Sequence, residues 1–471
     1  MDLRKLDDIV SSMKEEMIAD LRAWLAVDTV KAEPAGEGAP FGENTKKMLE
    51  LALETGRRYG FTTRNVDGYA GDISYGSGEQ TLGMLCHLDV VPVGEGWTHD
   101  PWAGDIEDGR IIGRGAIDDK GPAICALYAM RAVKEAGIPL KDGVRLILGC
   151  DEETGMTDLR YYASKMKMPD YGFSPDAEFP VINIEKGGLS LTVSKYTGGE
   201  TGGERAVYEL YAGERQNVVP GKAWAILGVS DEAAFRADVE KTAAANEWKL
   251  TVEPAGDGRL KLTAEGISAH ASTPHLGVNA AGILLKALKE LGAGTSSKQA
   301  IAAMADKLGT EYTGEKIGIA QSDEESGALT CNLGILRYDG HQLECRLDIR
   351  YPLCADEKDM CGAVAMAFSA DGIAVTRRGG HTPHHVPKEH KIVRGLLKVY
   401  ADVTGRDAYA FAIGGGTYSR MMPNTVAFGP VFPGEPDPCH MPDEYIKIDT
   451  MVESTKVFAH AIAELAGGNI E

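Results

Sequence analysis

A histidine and an aspartate stand two positions apart at the end of an apolar segment, in the tripeptide His87-Leu88-Asp89. The run 82–88 predicts a buried strand, because short apolar runs bounded by turn residues are typical of one. Side chains two positions apart on a strand point to the same side. A carboxylate beside an imidazole can fix the ring of a metal-bound histidine, so the pair indicates a metal site. The alternative is a turn in which both residues are incidental.

Two adjacent carboxylates, Asp118 and Asp119, stand just before a helix predicted over residues 121–136. Aspartate at such a position is commonly a helix N-cap. The glycines around the pair would also allow the chain to aim one carboxylate at two cations and bridge them. Both interpretations are open on these residues alone.

Three consecutive acidic residues, Asp151, Glu152 and Glu153, follow a second buried strand, which is predicted over residues 144–149. Their charges repel one another, and a bound cation would relieve the repulsion and keep them ionised. If one carboxylate binds a metal, its neighbour is free to act as a general base on an activated water molecule. A solvated acidic turn is the alternative.

A further carboxylate, Asp176, closes a third predicted strand end. Together with His87, Asp118 and Glu153 it lies at or just beyond the carboxyl ends of successive strands. Open α/β sheets place their sites at that edge. The four residues therefore predict one site, although each motif is weak when taken alone.

The elements that position these residues predict an α/β fold. A catalytic domain with a mixed sheet flanked by helices is expected over residues 1–187 and 382–471, and an inserted α+β domain over residues 188–381. Apolar residues at helical spacing predict one amphipathic helix over residues 1–27. Asn44 and Asp449 are the predicted N-caps of the second and last helices.

The composition limits the partners of the chain. With 471 residues, a prior of about 150 residues per domain allows two or three domains. The net charge of −21 argues against nucleic acid and anionic membranes as partners. No apolar run approaches the roughly 20 residues of a membrane span. The charged N-terminal segment and the eight scattered cysteines predict a cytoplasmic protein with reduced thiols.

Nine motifs, in order along nearly the whole chain, resemble those of a two-metal peptidase family. This family includes aminoacylases, carnosinases and glutamate carboxypeptidases, and the nearest resemblance within it is to the peptidase V-type dipeptidases. The motifs are HLDVVPVGEGW from His87, GRGAIDDKGP from Gly113, DEETG from Asp151, SPDAEFP from Ser174, NVVP from Asn217, SAHAS from Ser268, RYP from Arg350, GGGTYSR from Gly414 and HMPDE from His440.

The resemblance implies a pair of divalent cations and a role for each matching residue. Asp118 would bridge the two cations, and its bond to Asp119 would be cis. Asp89 would orient one ligand histidine, and Glu152 would be the general base and then the acid. The ligands of the first cation would be His87 and Asp176, and those of the second Glu153 and His440. Mixed nitrogen and oxygen ligands suit Zn²⁺, with Mn²⁺ or Co²⁺ as alternatives.

The resemblance also implies that the inserted domain is a two-lobed lid that supplies substrate contacts. His270 would stabilise the tetrahedral oxyanion, an electrostatic role. Asn217 and Arg350 would hold the C-terminal carboxylate of the substrate, for which arginine offers a bidentate fork. The amides of Gly415 and Gly416 would add donors, and a tight turn is the alternative for these glycines.

Two cysteines depart from the family pattern, because Cys86 and Cys439 each directly precede a ligand histidine. Thiolates can bind zinc, but a strand residue adjacent to a ligand faces the opposite side. Both cysteines are therefore predicted to be buried packing residues.

The predicted function is metal-dependent hydrolysis of the peptide bond of unblocked dipeptides, with a small peptide as the only partner and a monomer as the active form. A deacylase of N-acyl amino acids would use the same chemistry and differ in the pocket for the amino end. A non-catalytic peptide-binding protein is a third alternative. The presence of all five ligands and of Glu152 argues against it.

Overall fold

The computed structural model describes residues 3–200 and 202–468, and the chain folds into two compact units. Unit 1 comprises Met1–Ile184, His384–Phe411 and Gly416–Glu471, and unit 2 comprises Glu185–Pro383 and Ala412–Gly415. No helix among the described residues combines the length and the apolar character needed to cross a membrane.

The helices of unit 1 agree in place with the apolar periodicity, but the single N-terminal helix predicted from the sequence is wrong. It is two helices separated at Met13, and its first two residues lie outside the described part of the chain. The helices are Leu3–Ser12, Lys14–Leu25, Glu43–Arg58, Lys120–Ala136, Thr157–Lys165, Lys391–Thr404 and Ile448–Leu465, with a 3₁₀ turn at Tyr418–Met421.

Both predicted N-caps are also wrong. The second helix begins at Glu43 after Gly42, whose φ of 103° is available to glycine and not to asparagine. The last helix begins at Ile448 after Lys447, which places Asp449 in its first turn. An aspartate there still favours the helix through the macrodipole.

A nine-stranded mixed sheet forms the centre of unit 1, as the sequence predicts. Its strands lie in the order Thr62–Val66, Ala70–Tyr75, Gly143–Gly149, Thr81–His87, Tyr171–Ser174, Thr425–Ala427, Val181–Glu185 and His384–His385, and Ala410–Ile413 pairs with Val181–Glu185 off this path. The first pairings are antiparallel, whereas the four strands from Gly143–Gly149 to Thr425–Ala427 are mutually parallel.

The parallel strands are buried on both faces. Along Thr81–His87, the side chains of Leu82, Met84 and Cys86 join the core under the helices Lys120–Ala136 and Ile448–Leu465. Leu85 points to the other face and packs in a second cluster with Leu159 of Thr157–Lys165. Helices on both faces explain why these strands are continuous apolar runs.

Besides the large sheet of each unit, the described residues form three small sheets. They are Ala177–Glu178 with Pro430–Val431, the three strands Asp105–Glu107, Arg110–Ile112 and Tyr445–Lys447, and Ser322–Asp323 with Gly327–Ala328.

Unit 2 is α+β and is built on one eight-stranded antiparallel sheet with its own core. The strand order is Lys249–Gly256, Arg259–Glu265, Lys222–Val229, Arg205–Ala212, Thr330–Tyr338, Gln342–Tyr351, Gly187–Tyr196 and Ala374–His381. The helices are Glu232–Asn246, Ala280–Glu290, Lys298–Lys307 and Glu357–Ser369, with 3₁₀ turns at Pro274–Leu276 and Glu315–Ile317. That this unit has two lobes and acts as a lid stays a prediction.

Candidate active site

The parallel strands of unit 1 bring the predicted metal ligands to one edge. His87 ends its strand and pairs in register with Gly149, the last residue of the neighbouring strand. The acidic run Asp151–Glu153 therefore begins two residues beyond a position level with His87. Asp176 follows the strand Tyr171–Ser174, which lies on the other side of the His87 strand.

Asp118 lies between two imidazoles. Its Oδ1 is 2.9 Å from His87 Nε2, and its Oδ2 is 2.8 Å from His440 Nε2. Asp176 Oδ2 is 3.7 Å from His87 Nε2, and Glu153 Oε1 is 3.1 Å from His440 Nε2. The peptide bond from Asp118 to the next residue is cis, as the resemblance implies. Two groups of candidate ligands therefore share one carboxylate.

The state of His87 fits a metal ligand. Its side chain is buried, and Nδ1 lies 2.9 Å from the backbone carbonyl of Asp89, so Nδ1 carries the proton. The other ring nitrogen, Nε2, is buried and has no hydrogen-bond partner, although carboxylates lie in front of it. A buried imidazole lone pair that faces carboxylate oxygens suits a cation placed among them.

Asp89 holds His87 through its backbone more closely than through its side chain. The carboxylate Oδ1 is 3.6 Å from His87 Nδ1, whereas the carbonyl oxygen is 2.9 Å away. The carboxylate instead accepts hydrogen bonds from the backbone N–H groups of Glu152 and Glu153, at 3.1 and 3.2 Å. The Asp89 side chain thus also holds the acidic loop, and its role in orienting the imidazole stays a prediction.

Further anchors fix the loop that carries Glu152. Buried Asp158 accepts from the N–H groups of Cys150 and Asp151 and from the hydroxyl of Tyr418. Asp151 pairs with Lys31 Nζ at 2.7 Å. Its carboxylate is thus engaged away from the ligand group.

The segment that presents Asp118 is held by Glu444, the last residue of the HMPDE motif, for which no role was predicted. Its Oε1 accepts from the N–H groups of Gly115, Ile117 and Asp118, at 3.0, 3.0 and 3.2 Å. Its Oε2 pairs with buried Arg114 at 2.5 Å. This role is visible only in the folded structure, because Glu444 and Arg114 are 330 residues apart in the sequence.

The two imidazoles dominate the electrostatics of Asp118. Burial opposes ionisation, but the imidazoles of His440 and His87 beside it hold the pKa of Asp118 well below its usual value. Conversely, burial lowers the pKa of His440, but Asp118 and Glu153 raise it to about 10. Asp118 and His440 thus stabilise each other's charged forms.

Burial and the charges of neighbouring carboxylates disfavour the ionised forms of the remaining acids at this edge. Burial raises the pKa of Glu152 well above its usual value, and the charges of Glu153, Asp89 and Asp118 add to this effect against that of His87. Burial and Asp118 likewise raise the pKa of Glu153 and of Asp176. A divalent cation would reverse these shifts, because it favours the ionised carboxylates.

The two cysteines beside ligand histidines behave differently. Cys86 is buried within its strand, in agreement with the predicted packing role. Cys439 is only partly buried, and its Sγ lies 2.9 Å from Asp118 Oδ2. Cys439 packs against the core of unit 1, as predicted, but it is not fully buried. Its sulfur faces Asp118 because the residue lies in a turn, where the alternation of strand side chains does not apply.

In unit 2, the segments of Asn217 and His270 lie side by side. Val218 forms an antiparallel bridge with His270, and the N–H of Ala271 donates to the Asn217 carbonyl at 2.9 Å. His270 is exposed, and its Nδ1 lies 2.6 Å from the hydroxyl of Ser272. The imidazole is thus on the surface and not a buried structural histidine.

Arg350 and the glycine cluster also meet in unit 2. The guanidinium of Arg350 donates through Nε and Nη2 to Asp348, at 2.6 and 3.0 Å, and through Nη1 to the Gly414 carbonyl at 2.9 Å. Gly414 packs so closely on Ser272 that a Cβ would overlap its side chain. Gly415 lies at the end of this segment, whereas Gly416 belongs to unit 1.

Two histidines and three carboxylates, arranged around one shared aspartate at the carboxyl edge of a mixed sheet, define the class: an α/β protein with a candidate pair of metal sites. The model of the family described as peptidase family M20/M25/M40 matches residues 83–464. The chain belongs to this peptidase family.

Its relatives span its whole length. The protein YtjP of Bacillus subtilis strain 168 is 40% identical over 461 residues, which is 96% of this chain and 98% of YtjP. The beta-Ala-Xaa dipeptidase of Lactobacillus delbrueckii subsp. lactis is 35% identical over 469 residues, 99% of each chain. The solved structure of the dipeptidase Dug1p from Saccharomyces cerevisiae has a TM-score of 0.59 at 13% identity and 99% coverage of both chains, a likeness of fold.

Proposed function

We propose that this protein is a metallo-dipeptidase that hydrolyses the peptide bond of small unblocked dipeptides. The observation that carries the proposal is the placement of Asp118, with one oxygen 2.9 Å from His87 and the other 2.8 Å from His440. This geometry suits a carboxylate shared between two cations. Membership of the peptidase family and a beta-Ala-Xaa dipeptidase among the relatives support the substrate class.

The residues that would hold the cations divide into two groups. One consists of His87, Asp118 and Asp176, and the other of Asp118, Glu153 and His440. Mixed nitrogen and oxygen donors favour Zn²⁺, and Mn²⁺ or Co²⁺ would also suit carboxylate-rich ligands. When bound, two such cations act as Lewis acids that polarise the scissile carbonyl and acidify a water molecule.

Glu152 is the residue we assign to proton transfer. It is half-buried beside the ligand Glu153, and the Asp89 carboxylate fixes its backbone N–H at 3.1 Å. With its charge stabilised, the carboxylate takes the proton from the attacking water and then passes it to the leaving amine. A general base in this position contributes about 10²–10⁴-fold to the rate.

The residues assigned to substrate in unit 2 are proposals of the same kind. His270 would stabilise the developing oxyanion, and Asn217 and Arg350 would hold the C-terminal carboxylate. Since Asp348 already occupies two donors of Arg350, the arginine would act through Nη1 or by exchanging partners. The amides of Gly415 and Gly416 would add donors. A monomer in the cytoplasm remains the expected form.

The test is amine release from three matched substrates, Ala-Leu, β-Ala-Leu and N-acetyl-Leu. Each is assayed with Zn²⁺ or Mn²⁺ and then with a chelator. We expect chelator-sensitive cleavage of Ala-Leu and no cleavage of N-acetyl-Leu, because a dipeptidase requires the free amino group. Cleavage of β-Ala-Leu would show that the amino end tolerates an added methylene.

Cleavage of N-acetyl-Leu alone would contradict the proposal and make the protein a deacylase. Cleavage of Ala-Leu that survives complete metal removal, verified by elemental analysis, would contradict the metal assignment. The matched control is His384, which bonds to the Thr425 carbonyl away from the ligand groups. His384→Gln should keep the activity, whereas His87→Gln should lose it together with bound metal.

A further inference from the structure

A sulfur atom lies within the candidate metal site. Cys439 Sγ is 2.9 Å from Asp118 Oδ2, the same oxygen that lies 2.8 Å from His440 Nε2. The ligand atoms of Asp118, Cys439 and His440 all lie within 4.8 Å of one another. Glu153 Oε1 is 3.1 Å from the same His440 nitrogen. Three donor atoms of three chemical types, from Asp118, Cys439 and His440, therefore face one small volume, and Glu153 adjoins it through its contact with His440.

The local backbone explains how two adjacent residues can both face Asp118. Cys439 and His440 lie in a turn, and His440 has a φ of 63° in the left-handed region. The Asp437 carboxylate accepts the N–H of Cys439 at 2.9 Å, and the N–H of Met441 donates to the Pro438 carbonyl at 3.0 Å. The turn is thus tied on both sides of the pair.

The other site cysteine provides a contrast. Cys86 also precedes a ligand histidine, but it lies in the regular strand Thr81–His87 and packs in the core. Among the described residues, the clusters with metal-binding geometry include Cys439 and omit Cys86. The position of the sulfur is therefore a property of the turn at Cys439.

We propose that Cys439 is a fourth protein ligand of the cation held by Asp118, Glu153 and His440. The proposal rests on the two-metal function proposed above. On binding, the Sγ–H bond is replaced by a sulfur–metal bond, and the proton is released to solvent. A thiolate is a soft donor, so it favours Zn²⁺ over Mn²⁺ at this position. The inference thus names both an additional ligand and the class of cation that the site selects.

Cobalt substitution tests the ligand directly. The metal-free protein is loaded with Co²⁺, and the spectrum is recorded for the wild type, Cys439→Ser and Cys354→Ser. We expect a strong sulfur-to-cobalt charge-transfer band in the near ultraviolet for the wild type. The band should persist in Cys354→Ser, which removes an exposed thiol of unit 2, and disappear in Cys439→Ser.

Metal competition tests the selectivity. The ratio of Zn²⁺ to Mn²⁺ affinity, measured with a chromophoric chelator, should fall by at least about tenfold in Cys439→Ser, the lower bound for perturbing a metal shell. X-ray absorption of the zinc-loaded wild type needs no variant and should show a sulfur neighbour at about 2.3 Å. This measurement decides the question even if Cys439→Ser folds poorly.

The outcomes separate the ligand proposal from the proposed function. Visible cobalt bands without the sulfur band, together with nitrogen and oxygen neighbours only at zinc, would overturn the ligand proposal and leave the metal site intact. Cys439 would then be a hydrogen-bond donor to Asp118. Failure to bind any cation would overturn both.

Discussion

Asp118, the carboxylate proposed to bridge two cations, is the residue on which the candidate site depends, and its neighbours hold it from two directions. His87 and His440 face its two oxygens, while Glu444 holds the backbone N–H of Asp118 itself. Glu444 and Arg114 are both buried, so each charge is stable only in the presence of the other. Asp118, a proposed metal ligand, is thus positioned by the ion pair of Glu444 and Arg114, which has no proposed role in the reaction.

Replacing Glu444 tests this support. Glu444→Ala leaves the guanidinium of Arg114 buried without a counter-charge and frees three N–H groups. We expect the free energy of unfolding to fall by about 3–5 kcal/mol, the usual cost of breaking a buried pair. Urea denaturation in the presence of a chelator measures the change without a contribution from bound metal.

The control for this variant is Glu435→Ala. Glu435 pairs with Lys447 at 2.8 Å, but both side chains are partly exposed. We expect a loss within about 1 kcal/mol. Equal losses for the two variants would show that burial of the Glu444 pair has no special importance.

Among the elements, the strand Gly143–Gly149 delivers the acidic loop, and its last residue leaves no room for a side chain. A Cβ at Gly149 would overlap the Tyr418 hydroxyl and the Asp158 carboxylate. Those are the groups that anchor the residues after the strand. The glycine is therefore required by the close approach of its neighbours.

Gly149→Ala should displace the Asp158 anchor and with it the acidic loop. We expect a loss of about 1–3 kcal/mol in stability, typical of overpacking, and a weaker affinity for Zn²⁺. Thermal unfolding and chelator competition measure the two effects. Gly143→Ala, at the other end of the same strand, is the matched control, since its Cβ would meet nothing closer than 3.7 Å. If both variants behave alike, the anchor does not position the loop.

The elements also show what the sequence could predict. Apolar runs located the strands Thr81–His87 and Gly143–Gly149 to within a residue, because strands buried on both faces leave a continuous signal. The break at Met13 left no signal, because the apolar spacing continues through it. The strand Gly187–Tyr196 was not predicted, although the predicted domain boundary falls at its first residue.

The same limit applies to the site. His87, Asp118, Glu153 and Asp176 could be named because they lie at or just beyond strand ends, whereas His440 was named only through the family resemblance. Glu444, Asp158 and the position of Cys439 depend on contacts between distant segments or on the conformation of a turn. No periodicity or composition encodes such contacts.

At the scale of the whole molecule, the chain forms two units with separate cores. The predicted division after residue 187 lies three residues from the observed division after Ile184. The return of Ala412–Gly415 to unit 2 was not predicted. It depends on hydrogen bonds, from the Lys186 N–H to the Ile413 carbonyl and from Arg350 to Gly414, which no sequence pattern announces.

Removing the metal should therefore destabilise unit 1, which contains all the candidate ligands, and leave unit 2 unaffected. Without a cation, the acids around Asp118 repel one another, so the segments that carry them open more readily. At a free metal concentration of about 1,000 times Kd, the bound state is favoured by about 4.1 kcal/mol. Hydrogen exchange with and without chelator should show faster exchange near His87, Asp118, Glu153 and His440. The strands of unit 2 should be unchanged, and an equal change in both units would contradict this expectation.

The central claim is that Glu152 moves the proton while other residues hold the metal. The most direct test compares kcat for Ala-Leu and metal content in the wild type, Glu152→Gln and Glu153→Gln. We predict that Glu152→Gln keeps two bound cations and loses about 10²–10⁴-fold in kcat, whereas Glu153→Gln loses metal as well. Normal hydrolysis by Glu152→Gln with its metal intact would contradict the account.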